Sequence, residues 1–304
     1  MTIGAVSRRR GTGGAAAVAA ALTLCGLSEI GVARAQSESQ IAQDLTNPVA
    51  NLIQVPFQNN FDWRGGRQND AFRYTLNVQP VIPFSLTPEW NLITRTIVPF
   101  ASFDRVFPTT QAGMGDILQS YFLSPSRPTS NGVVWGVGPV FLFPTATNQV
   151  FASKQWGLGP TGVILRLNGP WTYGVLANHV WSLTPVPSPN APGAPPDAQM
   201  DEEMVGAEGP TTQGRWRVSN TFVQPFVSYA FPTFTTINVS SEMLYNWTTR
   251  QWTIPIAAGV SQLVKVGGQI FSVGATGRYW VERPAGGPTW GLRASLTWVL
   301  PTGR

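Results

Sequence analysis

The C-terminal hairpin decides the fold: I-F-S-V-G-A-T-G-R-Y-W-V at 270–281, then T-W-G-L-R-A-S-L-T-W-V-L at 289–300. Read with period two, the second run places Trp290, Leu292, Ala294, Leu296, Trp298 and Leu300 on one face, with Gly291, Arg293, Ser295 and Thr297 on the other. The first run sets Phe271, Val273, Ala275, Tyr279 and Val281 against Ser272, Gly274, Thr276 and Arg278. Each is a strand with an apolar and a polar face, a pattern that a soluble sandwich also shows. Length and aromatic ends separate the two. About ten residues is what a tilted strand needs to cross a bilayer, and Trp and Tyr favour its interfaces. The expectation is an all-β chain: a transmembrane, antiparallel, up-and-down β-barrel.

The N-terminus supports an exported protein. Arg8, Arg9 and Arg10 precede a short run of small apolar residues, and Ala33-Arg34-Ala35 offers a cleavage site before Gln36. Residues 1–35 thus read as a cleaved signal peptide. Cys25, the single cysteine, lies within it, and the bulky Leu24 before it argues against a lipid anchor. Without the signal, 20 basic and 15 acidic residues lose four and one, so the formal charge falls from +5 to about +2. The basic balance therefore belongs largely to the targeting segment, and no nucleic-acid partner is expected.

Residues 36–50 are expected to form a periplasmic lead-in with a helical turn or two before Pro48; the alternative is that they lie in the barrel mouth. The barrel itself is expected over 51–304. Alternating runs recur at 51–60, 72–83, 89–100, 116–124, 132–144, 155–167, 171–182, 217–229, 233–246, 251–264, 269–281 and 288–300, twelve in all. An even number keeps both termini on one side. Links at 84–88, 125–131, 168–170, 230–232 and 265–268 are short, whereas 61–71, 101–115, 145–154 and 183–216 between them are longer, although 247–250 and 282–287 are not. That sorting fits short periplasmic turns and long outer loops.

The stretch 183–214 is dense in proline and carries Asp197, Asp201, Glu202, Glu203 and Glu208. It reads as a solvated surface loop, or else one that folds into the mouth or gathers a divalent ion. W-G-V-G-P at 135–139 returns as W-G-L-G-P at 156–160, roughly a hairpin period. Pro99, Pro139, Pro160, Pro225 and Pro255 fall inside expected strands, where each lacks a ladder donor and requires a bulge or a shifted boundary.

Several segments also resemble a known family. N-P-V-A-N-L-I-Q-V-P-F-Q-N-N at 47–60, L-N-V-Q-P-V-I-P-F at 76–84, W-N-L-I-T-R-T-I-V-P at 90–99, G-M-G-D-I at 113–117, N-H-V-W-S at 178–182 and Q-P-F-V-S-Y at 224–229 are similar to the bacterial "MetA-pathway of phenol degradation" family, often mislabelled neuromedin U. The resemblance covers nearly the whole mature chain. It implies an outer-membrane barrel transporter, with aromatic compounds among the solutes to consider, and transfers no catalytic or binding motif. Pro301-Thr302-Gly303-Arg304 after the last strand departs from the terminal aromatic common in such barrels.

By alternation the inward set includes Arg73, Asn77, Gln79, Asn91, Arg95, Asn238, Glu242, Thr276, Arg278 and Arg293. Four arginines against one glutamate suggest an anion-favouring lumen, unless they pair with acidic neighbours as a structural network. Trp90, Trp252, Trp290 and Trp298 are expected at the lipid interface. His179, the one histidine, stands three residues before Ser182, so on a strand the two point apart and make no nucleophile and base. With no mature cysteine there is no zinc set, and the glycines of G-A-T-G and G-V-G-P lie inside strands, so no phosphate loop is formed. No enzyme, cofactor or metal is expected. The expected partners are outer-membrane lipid, a small-molecule solute and the barrel assembly machinery; the reading is a passive channel, or otherwise a non-conducting surface-interaction barrel, with a lipid hydrolase less favoured.

Overall fold

The computed structural model describes residues 40–66, 68–183 and 217–300. The chain forms one antiparallel sheet that closes on itself. Its strands are β1 (Ile53–Gly65), β2 (Ala71–Val78), β3 (Val81–Ser85), β4 (Trp90–Asp104), β5 (Gln111–Met114), β6 (Ile117–Pro125), β7 (Val133–Phe143), β8 (Gly157–Asn168), β9 (Trp171–Ser182), β10 (Ser219–Ala230), β11 (Thr235–Ser240), β12 (Met243–Asn246), β13 (Gln251–Val266), β14 (Gln269–Glu282) and β15 (Trp290–Leu300). The pairs β2/β3, β5/β6 and β11/β12 each run in line between the same two neighbours, so the fifteen segments make a barrel of twelve staves. The seam is β15 on β1, paired without a break from Ile53↔Leu300 to Trp63↔Trp290.

The wall sorts its side chains as the pleat requires. On β15 the outward residues from Trp290 to Trp298 are exposed, while Gly291, Arg293 and Val299 are buried. Trp290 and Trp298 are eight residues apart, roughly 27 Å along the strand, or about 20 Å of height at a barrel's usual tilt. Two aromatic rings bound that band. Trp63 stacks on Trp290 at 4.5 Å and Tyr245 lies 4.8 Å from Trp252 at the loop end, whereas Trp90 meets Trp135 at 5.9 Å and Trp171 meets Tyr229 at 4.8 Å at the other.

The proline problem resolves into three breaks. Pro99 faces the gap between β5 and β6, where the Gly115 N–H donates to its carbonyl. Pro225 faces the gap between β11 and β12 from one side, and Pro255 stands at a bulge on the other. Ser241, in that gap, donates its backbone N–H to Pro225 O and its hydroxyl to Pro255 O. Pro139 and Pro160 oppose each other across β7 and β8. The ladder is interrupted beside each of them, between Ser120↔Val140 and Leu123↔Val137 on one flank and between Leu158↔Trp181 and Thr161↔Asn178 on the other. The repeated G-P dipeptides are thus a local two-fold: Gly138 and Gly159 are bare where the next strand's carbonyl presses in, and a Cβ on Gly159 would stand 1.6 Å from His179 O.

Two expected features are corrected. β1 and β4 run past their expected ends at 60 and 100, so the links there shrink to 66–70 and 105–110. Long outer connections remain only at 144–156 and at 183–218, and the expected loop asymmetry is correspondingly weaker. Tight turns at the other end include Gly267-Gly268, both at positive φ, as a two-residue hairpin turn requires. Replacing Gly159 with valine forces β8 off β9 and should destabilise the barrel by about 2 to 3 kcal/mol. A urea titration in detergent, followed by heat-modifiable gel mobility, measures it.

Candidate functional site: a divided lumen

The interior has two unlike halves. From β4 round to β12 a large share of the inner face is apolar: Ile93, Ile97, Leu118, Phe122, Val140, Leu142, Leu165, Leu176, Phe222 and Leu244 join one cluster with Val49 of the N-terminal segment, while Arg95 of β4 and Asn238 and Ser240 of β11 turn toward the polar cavity at its edges. On this side the interior is packed and not polar like the inward set of β2 and β15. The reason is legible in β7 (V-V-W-G-V-G-P-V-F-L-F), whose two faces are both apolar, because one meets lipid and the other a packed interior. From β13 round to β2 the inward face is polar, with Gln54, Asn60, Asp62, Arg73, Thr75, Asn77, Gln79, Arg278 and Arg293 all buried.

The N-terminal segment lies across the mouth opposite the long loops. Residues 40–44 are helical. Gln43 donates to Gly169 O in the β8–β9 turn at 2.8 Å, while Ile41, Leu45, Ala50 and Leu52 pack with Ile270 and Val299 on the far wall. Burial raises the Asp44 carboxyl above the usual range, with a Gln40 hydrogen bond pulling the other way. The segment bounds a cavity of about 280 Å³ whose polar wall includes Gln54, Gln58, Gln79, Arg95, Glu242 and Arg293.

Arginines climb the polar half in steps set by strand register. Lowest is Arg95, which donates to Gln79 Oε1 at 3.2 Å, and Gln79 in turn donates to Gln58 Oε1 at 3.0 Å. Next is Arg293, whose two terminal nitrogens reach the Glu242 carboxylate at 3.0 and 2.9 Å while Nε donates to Asn60 Oδ1 at 2.7 Å. Highest are Arg278, 2.6 Å from Asp62 Oδ1 and 5.0 Å over the Trp280 ring, and Arg73, 5.2 Å over Phe103 and bonded to Gly286 O. Asp62 is the missed residue. It falls beyond the expected end of β1, although Gln58, Asn60 and Asp62 share one alternation and Phe61 and Trp63 the other, so the signal was present.

The other candidates sort as follows. Asn77 and Asn91 are buried on the inner face, and Asn238 and Thr276 line the cavity. Trp90, Trp252, Trp290 and Trp298 are exposed on the outer wall. Asp197, Asp201, Glu202, Glu203 and Glu208 lie outside the described residues, as do residues 1–35 and 301–304. His179 faces outward and Ser182 does not meet it; its Nδ1 instead lies 2.6 Å from Thr221 Oγ1 across the β9–β10 pair. A loop contact missing from the sequence pattern ties the β7–β8 connection to the wall: Asp116 accepts from the Ala146 and Ser153 backbone N–H groups and the Ser153 hydroxyl, and Phe151 packs edge-on against Phe103 at 5.2 Å.

The chain is similar to the crystal structure of the COG4313 outer membrane channel from Pseudomonas putida F1, with TM-score 0.58 and 12% identity over 82% of this chain and 94% of that one. The NanC porin aligns at TM-score 0.44 and 12% identity over 82% and 100%, and outer membrane phospholipase A from Escherichia coli at 0.40 and 11% over 83% and 90%. At such identities the first likeness is one of fold. No protein-family model matches the chain, and no curated protein matches it.

Removing one partner of the Arg293–Glu242 pair strands a buried charge. Glu242→Gln should lower stability by about 3 to 5 kcal/mol, and adding Arg293→Met should recover much of it; urea midpoints of the three proteins in micelles test this. The docked Asp44 binds its proton more tightly than the free segment does. Docking is therefore fullest below the ordinary carboxylate range and weakens as pH rises through the docked value. Hydrogen exchange over 41–46 should slow as pH is lowered, after correction for intrinsic rates.

Proposed function

We propose that this chain is a passive channel of the bacterial outer membrane, not an enzyme, that admits small anionic solutes through its polar half. The arginine ladder carries the reading. Among the described inward side chains of that half and its rim, Arg73, Arg95, Arg278 and Arg293 face two carboxylates, Asp62 and Glu242, an excess of two positive charges in a space of low dielectric. The pairing of Arg278 and Arg293 reduces the field that the bare count of arginines suggests, and it also holds their guanidinium planes to the wall. Arg95, which lines the cavity and donates to the neutral Gln79, is the arginine placed to meet a passing carboxylate.

The size of the cavity supports small solutes: about 280 Å³ is room for on the order of nine waters. Apolar side chains opposite the ladder make the passage amphipathic, which suits a carboxylate on an aromatic or short aliphatic body. That agrees with the aromatic solutes implied by the family resemblance. The same geometry, with the mouth crossed by the N-terminal segment, also suits a barrel that stays shut until the segment shifts. Conductance decides between them.

In planar bilayers under a salt gradient the reversal potential should take the sign of anion preference. Arg95→Gln should reduce the anion-to-cation permeability ratio by roughly two- to threefold, the effect of one lumen charge at effective dielectric. Cation preference in the unaltered protein, or no conductance even after residues 36–50 are deleted, overturns the channel reading.

A further inference from the structure

The outer wall carries a concavity unrelated to the lumen. At the loop end of β9 and β10, outward-facing His179, Trp181 and Ser219 join Arg217, Trp247 and Arg250 around a cleft of about 580 Å³. None of its lining residues is acidic, and neither arginine makes an ion pair with a described residue. The cleft is built rather than incidental. The Trp247 indole N–H donates to Thr221 Oγ1 at 2.8 Å, the same oxygen that holds His179, and the His179 ring lies 4.1 Å from that of Trp181. Thr248 donates to Arg217 O at 2.9 Å, which ties the two arginine-bearing segments together.

A second hollow adjoins it on the membrane side. Pro139, Leu158, Pro160, Trp181 and Leu183 line a groove of about 460 Å³ without a charged group. It exists because the opposed G-P dipeptides hold the wall open there, and Trp181 is shared by both hollows. The upper cleft sits in the aromatic ring at headgroup level; the groove lies below, within the hydrocarbon band. Cations above, apolar walls below and one aromatic between them match an amphiphile with an anionic head.

We propose that this wall binds a phosphorylated, acylated lipid of the leaflet on the long-loop side, its phosphate between Arg217 and Arg250 and an acyl chain along the Pro139–Pro160 groove. Guanidinium forks are suited to phosphate oxygens, and basic pockets beside a membrane wall recruit anionic headgroups. The assignment rests on the outer-membrane reading, since that leaflet is where phosphorylated glycolipids are concentrated.

The refolded full-length barrel in neutral detergent, incubated with bis-phosphorylated lipid A, should retain it in native mass spectrometry. Arg217→Gln with Arg250→Gln should cut retention by roughly tenfold or more, the scale of losing charge-assisted bonds to phosphate. Phosphate-free lipid A should be retained as weakly by the unaltered protein as bis-phosphorylated lipid A is by the double variant. Brominated acyl chains should quench tryptophan emission less in Trp181→Phe than in the unaltered barrel. Heat-modifiable mobility and conductance, taken on the same samples, should be unchanged in the arginine variant. Equal retention by the folded variant overturns the proposal, as does displacement of the lipid by millimolar inorganic phosphate alone, which would mark a site for free phosphate. Lipid retention without conductance, even after residues 36–50 are deleted, overturns the channel reading and leaves this one standing.

Discussion

In hydrocarbon an amide has no water to turn to, so a strand-built wall must return on itself until no edge is left. The union of β15 with β1 meets that demand over the full height from Ile53 to Trp63. Everything else follows from closure. The pleat then has one surface for lipid and one for the interior, and each strand's alternation is read against those two surroundings. Where the ladder must be interrupted, at Pro99, at Pro225 with Pro255, and at Pro139 with Pro160, a neighbouring gap, a bulge or a serine hydroxyl accompanies the break.

Closure leaves the interior free, and this chain uses it in two ways. One half is filled like a soluble core and takes Val49 from the N-terminal segment into its packing, which stiffens that side and removes it from any aqueous path. The other is a hydrogen-bonded polar wall in which the Arg278–Asp62 and Arg293–Glu242 pairs fix side chains that would otherwise be long and mobile. A path, where one exists, runs along the polar wall. The division also explains why a twelve-stave barrel leaves so small a cavity.

Much of this was legible in the residues. The hairpin at 269–300 and its outward tryptophans follow from period two alone, because those strands have lipid on one side and polar neighbours on the other. The apolar half was not legible in the same way. A strand such as β7 that is apolar on both faces has no alternation to read, and periodicity cannot say whether its inner face meets water or a packed neighbour. Asp62 was lost to a boundary placed a few residues early, an error that matters because a salt-bridge partner sits in that margin. The meeting of His179 with Thr221 depends on the register between β9 and β10, which no local pattern encodes.

The opposed Gly138-Pro139 and Gly159-Pro160 dipeptides have a mechanical consequence. Counting staves round the ring, the break between β8 and β9 is diametrically opposite the clasp where first and last strands meet. A curling sheet whose ends must be brought together bends most easily where rungs are absent, and here those rungs are absent at the far point of the circle. The wall is thus most compliant at the point farthest from its continuous clasp.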